Sequence, residues 1–173
     1  QYMAEKAGYK GNYCVITHNP GGSAYYARAY GVITELAKIA PDMVCLDIQS
    51  PGTDSAENVK QVVSDWITKY GDDLDVIFTS ETTVQATGSI EACEAAGRSD
   101  ILIGGIDNSE TALNYIKEGK LTCATNQPPM QDGALPVLLA AKWFNGETID
   151  DYVFMEPAVI NADNVEDFLP AQW

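Results

Sequence analysis

The side chains with polar chemistry that fall at the ends of apolar runs are Asn19, Arg28, Ser80, Glu81, Asp107, Asn108 and Gln127. They bring one cation, two carboxylates, amides and a hydroxyl, with no nucleophile set beside a base. Serine or cysteine catalysis requires a nucleophile served by a general base, and the chain has one histidine, His18, and no GxSxG elbow. Glu81 and Asp107 could in principle form a carboxylate pair, but no second feature marks them as acid and base. The four cysteines, Cys14, Cys45, Cys93 and Cys123, show no CxxC spacing, so no metal site is expected. Asn19-Pro20-Gly21-Gly22-Ser23 has neither the Lys-Ser/Thr ending of a P-loop nor GxGxxG spacing, and reads as a tight turn rather than a nucleotide or other cofactor site. The inventory suits binding without catalysis. Taken alone, Arg28 reads as a surface ion-pairing residue.

Alternating elements must position these groups. Tyr13 to Thr17 is a short β-branched and apolar run, followed by the turn Asn19 to Gly22 and a helix that Ser23 can cap, running to about Ile39. Met43 to Ile48 repeats the run, and Ser55 opens a helix striped with Val59, Val62, Val63, Trp66 and Ile67. Val76 to Thr79 precedes a helix that passes through Ile90 and ends at Gly97 in the manner of a C-cap. Ile101 to Ile106 is followed by a short helix capped by Asn108-Ser109 and ended at Gly119, and Leu121 to Thr125 is a fifth strand.

Such alternation predicts an α/β fold, a Rossmann-like parallel sheet with helices on both faces. Ligands of open sheets bind outside the carboxyl ends of the strands, so the loops Asn19 to Ser23, Gln49 to Asp54, Ser80 to Thr83, Asp107 to Ser109 and Asn126 to Pro129 form one rim. The last third breaks the pattern. Met130 to Phe144 reads as a helix apolar around most of its circumference, with Pro136 predicting a kink. Beyond it, Tyr152 to Met155 and Val159 to Asn161 look extended, and Asn164 to Leu169 could form a final short helix.

At 173 residues and 46% hydrophobic, the chain can bury one sizeable core. With 25 acidic against 10 basic residues and a formal charge of -15, a nucleic-acid partner is not expected. No run of eighteen apolar residues suggests a membrane span, and no export signal follows Gln1. A start without Met inside the helical stretch Tyr2 to Lys6 suggests that the chain was cut from something longer. Three of the four cysteines lie in apolar runs that read as interior strands, and the cysteines read as buried free thiols.

Gly104-Gly105-Ile106-Asp107-Asn108-Ser109, Ile116-Lys117-Glu118-Gly119-Lys120-Leu121 and Thr125-Asn126-Gln127-Pro128 together resemble the ribose-binding-like type I periplasmic solute-binding proteins. Upstream, Gly22-Ser23-Ala24 and Tyr26-Ala27-Arg28-Ala29-Tyr30-Gly31 are similar to the opening of that family's first helix. Phe78-Thr79-Ser80-Glu81 and Gly88 to Gly97 look like its strand-and-helix segment, without the usual Asn-Asp pair and one residue longer. The resemblance implies that Arg28, Asp107 and Gln127 bind the ligand, with Ser80, Glu81 and Asn19 as further contacts.

By this resemblance the chain is the C-terminal lobe (residues 1–127) with a returning segment (128–173), and an N-terminal lobe lies outside it. The implied function is the substrate-binding component of an ABC transporter, holding a sugar or sugar-like solute between two lobes and docking on a permease. The implied location is extracytoplasmic, periplasmic or lipoprotein-anchored. The effector-binding core of a LacI-type transcriptional regulator is the alternative, since it shares fold and rim. The helix Met130 to Phe144 would pack on the other lobe, and an isolated chain is expected to bury it as a homodimer, by exchanging segments or by folding it onto its own sheet.

Overall fold

Apolar runs become strands and amphipathic runs become helices in the computed structural model, which describes residues 1–53 and 55–172. The order is α1 (Tyr2–Lys6), β1 (Lys10–Ile16), α2 (Ser23–Ile39), β2 (Asp42–Gln49), α3 (Ala56–Tyr70), β3 (Val76–Thr79), α4 (Val84–Ala96), β4 (Leu102–Ile106), α5 (Glu110–Lys117), β5 (Cys123–Thr125), α6 (Pro129–Phe144) and β6 (Val159–Ile160). Short 3₁₀ turns occupy Gly71–Asp73 and Val165–Phe168.

The six strands lie in the order β2-β1-β3-β4-β5-β6. All pair in parallel except β6, which runs antiparallel to β5. Because β2 and β3 leave β1 on opposite sides, the strand order reverses there, and the crevice outside the carboxyl ends of β1 and β3 is where an open sheet binds ligands. Of the extended stretches expected late in the chain, only Val159 and Ile160 join the sheet; Tyr152 to Met155 form no strand, because no neighbouring edge meets them.

Two cores cover the sheet. On one face Val59, Val63 and Trp66 of α3, Ala86, Ile90 and Cys93 of α4, and Leu113 and Ile116 of α5 pack on Cys14, Ile16, Ile77 and Ile103. On the other, Met3 and Ala4 of α1 and Ala29 and Leu36 of α2 pack on Tyr13, Val15, Met43 and Val76. Ile160 and Val165 are also buried in the first core, so the end of the chain belongs to this sheet.

Gly88 sets the approach of α3 to α4. A Cβ there would stand 2.7 Å from Val59 Cβ and closer still to the Ala56 carbonyl oxygen. Ser55 Oγ accepts from Asn58 N at 3.2 Å and Ser109 Oγ from Ala112 N at 3.3 Å, so both serines cap as expected. Gly97 takes the left-handed C-cap conformation, φ 69°. Ser23 does not cap α2: extended Gly22 is the N-cap, and Ser23 is the first helical residue.

The α6 helix has no buried residue. Met130, Val137, Leu138, Trp143 and Phe144 are all exposed, and Tyr152 and Phe154 beyond them are exposed too. The chain does not fold this helix onto its own sheet, which removes one of the three expected ways of covering it.

The cysteines are free, with Cys14, Cys93 and Cys123 buried and Cys45 half-buried. Burial pushes the thiols of Cys14, Cys93 and Cys123 up to about 12, which keeps them protonated and unreactive.

Candidate functional site

Arg28 stands in the second turn of α2, just past the end of β1. Its Nη1 donates to the Ser80 carbonyl at 2.8 Å and its Nη2 to Gln127 Oε1 at 2.9 Å. The same Nη1 lies 3.5 Å from His18 Nε2. The guanidinium therefore bridges the ends of β3 and β5, across 52 and 99 residues of chain, and is no surface ion-pairing group. Its planar fork holds several N–H donors in fixed directions, which suits it to bridge acceptors on separate strands.

Gln127 follows β5. Its N–H donates to Asn108 Oδ1 at 3.0 Å, and Asn108 is buried. With Oε1 taken by Arg28, the two Nε2 hydrogens of Gln127 are left as donors.

Asp107 continues β4, its N–H donating to the Thr125 carbonyl at 2.9 Å. Its φ is 80°, a left-handed conformation that Asp tolerates better than most residues. Thr82 Oγ1 donates toward the Asp107 carbonyl oxygen at 3.1 Å and makes a short hydrogen bond to Oδ1. Burial raises the Asp107 carboxyl above its ordinary range, and the nearby Glu81 charge adds to this. The Thr82 hydroxyl and the Arg28 charge oppose the rise without cancelling it.

The remaining expected contacts are placed differently. Glu81 accepts from the N–H groups of Thr83 at 2.7 Å, of Val84 at 3.0 Å and, at shorter range, of Gln85, so its carboxylate closes the N-terminus of α4. Ser80 is buried, its hydroxyl donating to the Ile16 carbonyl at 3.0 Å, and it reaches the site through its carbonyl. Asn19 is exposed and accepts from Ser50 Oγ at 2.8 Å, joining the loops after β1 and β2. Asp54, the last residue of the expected rim loop after β2, lies outside the described residues.

Arg28 and Gln127 are thus hydrogen-bonded, with Asp107 within electrostatic reach. Gln85 holds the ends of β1 and β3 together: its Oε1 accepts from Ser80 N at 2.8 Å and its Nε2 donates to the Thr17 carbonyl at 3.4 Å. Sequence reasoning singled out neither Thr82 nor Gln85. The rim loop Ser80 to Thr83 drew attention to the place, but the reach of Thr82 to a residue 25 positions on exists only once β3 and β4 are paired. Chemically, the group offers guanidinium and amide donors and a carboxylate acceptor converging at the strand ends, the means to orient a polyhydroxylated molecule.

A sequence model described as a periplasmic binding protein domain matches residues 1–148. The chain is 30% identical over 167 residues to the xylitol-binding protein of Mycolicibacterium smegmatis, covering 96% of this chain and 47% of that protein. It is 28% identical over 148 residues to the ribose import binding protein of Escherichia coli, covering 86% and 48%. Among solved structures, an ABC transporter periplasmic solute-binding protein from Actinobacillus succinogenes with bound D-allose superposes with a TM-score of 0.83 at 25% identity, over 96% of this chain and 58% of that one. One from Agrobacterium vitis bound with alpha-D-tagatopyranose gives 0.82 at 26% identity, over 98% and 55%. The chain spans about half the length of the curated relatives it matches.

Proposed function

We propose, from the premise that the chain belongs to the family of periplasmic binding protein domains, that it is one lobe of the substrate-binding component of an ABC importer. It holds a sugar or sugar-like polyol in a cleft against a second lobe, outside the cytoplasm, and catalyses nothing. The observation that carries this is the Arg28 bridge to Gln127 Oε1 and Ser80 O beside Asp107, at the carboxyl ends of β3, β4 and β5. Arg28 and Gln127 donate to ligand oxygens and Asp107 accepts from ligand hydroxyls. Ser80, Glu81 and Asn19 support them by holding Arg28, closing α4 and tying the two loops. The relatives named above bind xylitol, ribose, allose and tagatose, which supports a neutral polyhydroxylated ligand; none of them is a transcriptional regulator, so the LacI-type reading is not favoured. Closure of the two lobes would signal occupancy to the permease.

A protein joining this chain to its second lobe is expected to melt at higher temperature in the presence of one or more members of a panel of neutral pentoses, hexoses and alditols that includes xylitol, D-ribose and D-allose. No shift and no calorimetric heat with any of them would overturn the reading.

In that assembly α6 packs on the second lobe. The 173-residue chain by itself is therefore expected to self-associate through α6, and light scattering should report a dimer or larger species. A monomer at micromolar concentration would show that the exposed Leu138 and Trp143 need no partner.

A further inference from the structure

We infer that Thr82 is a positioning residue for the Asp107 carboxylate, an inference that rests on the proposal that Asp107 binds the ligand. Thr82 is wholly enclosed, at 0% exposed, in the turn between β3 and α4. Its side chain is anchored on two sides. The hydroxyl serves both the main-chain oxygen and Oδ1 of Asp107. The methyl lies against the backbone of Gly105, where an added Cβ would come within 2.7 Å of Thr82 Cγ2 and closer still to Thr79 Oγ1.

Glycine at 105 is thus what lets Thr82 reach Asp107. One hydroxyl spans the left-handed turn and the carboxylate that projects from it, so backbone and rotamer are fixed together. A hydroxyl donating to a buried carboxylate is a charge-assisted bond, stronger than one between neutral groups. Thr82 takes Oδ1, and Oδ2 is the oxygen assigned to the ligand. The charged groups acting on this carboxylate are Glu81, before α4, and Arg28, on α2.

Thr82→Val keeps the branched shape and removes the donor, whereas Thr82→Ser keeps the donor and removes the methyl. Two readouts separate the roles. In the 173-residue chain without ligand, ¹³C NMR titration of the Asp107 carboxyl should give a higher midpoint in Thr82→Val than in wild type, because the bond that favours the ionised form is gone. Thr82→Ser should stay near wild type.

In the two-lobed protein, calorimetric affinity for xylitol and D-ribose should fall roughly tenfold in Thr82→Val and recover in Thr82→Ser. The acid limb of the affinity profile should move to higher pH in Thr82→Val, since binding needs the carboxylate. If Thr82→Val melts out, Thr82→Ala against Thr82→Ser makes the same comparison.

An unchanged Asp107 midpoint in the donor-less variant overturns the inference. So does full affinity in Thr82→Val where Asp107→Ala has lost it, which leaves the ligand proposal standing. Full affinity in Asp107→Ala sinks the ligand proposal instead, and the titration then decides the role of Thr82 alone.

Discussion

Asp107→Ala in a protein carrying both lobes is expected to weaken the cognate sugar or polyol by about 2 to 4 kcal/mol, measured by calorimetry. The loss has two parts: hydrogen bonds to a charged acceptor disappear, and ligand hydroxyls that had donated to it are left buried without a partner. Asp107→Asn is the companion variant. Asn tolerates the left-handed φ of 80° as Asp does, so it removes the charge without straining the turn. It should bind weakly while melting close to wild type. Because burial holds the Asp107 carboxyl above its ordinary range, wild-type affinity should fall on acidification sooner than it would for a solvent-exposed aspartate. Equal affinity in wild type and both variants would place the site elsewhere.

Trp66→Ala is expected to destabilise the chain by about 3 to 5 kcal/mol in denaturant unfolding, through the cavity left in the core beneath α3. Trp66 is 1% exposed and is the largest of the fully buried side chains. Its Nε1 donates to Asp47 Oδ2 at 3.0 Å. Burial alone would raise the Asp47 carboxyl, but the hydrogen bonds from Gln49, Trp66 and Ile48 outweigh it and leave it below its usual range. A carboxyl depressed in the folded state contributes stability that is present above its unfolded pKa and lost as pH falls through the folded one. Trp66→Phe keeps most of the volume but removes the donor, so its deficit against wild type should shrink as the solution is acidified through the carboxylate range. A deficit independent of pH would separate Trp66 from Asp47.

Strand and helix order was legible because each element carried its own signal. Val59, Val63 and Trp66 share one face at helical spacing, Ser55 and Ser109 cap, and Gly97 terminates. Strand ends marked out a wider set of rim groups, and only a family resemblance singled out Arg28, Asp107 and Gln127 within it, because residues so far apart in the chain share no local pattern. The structure brings them to one rim, and their part in binding is the proposal under test. Side-chain direction was not legible at all. Glu81 and Ser80 sit at a strand end, where rim chemistry is expected, yet the first N–H groups of α4 hold one and the Ile16 carbonyl the other. Val159 to Asn161 was legible as extended, but its antiparallel pairing with β5 was not, since two residues carry too little periodicity to announce an edge.

The two margins of the sheet differ in length but share one property. At the β2 margin the pairing with β1 shifts register after Tyr13↔Cys45, leaving Leu46 as an extra residue that bulges the edge strand, and β2 begins with the acidic Asp42 and carries Asp47. At the other margin β6 offers only two residues. A flat, uninterrupted strand edge is what templates runaway main-chain pairing between copies, and neither margin presents one. Crowded copies of this chain should therefore adhere side chain to side chain, in assemblies that dilution or a covering surface can undo, rather than knit into fibrils.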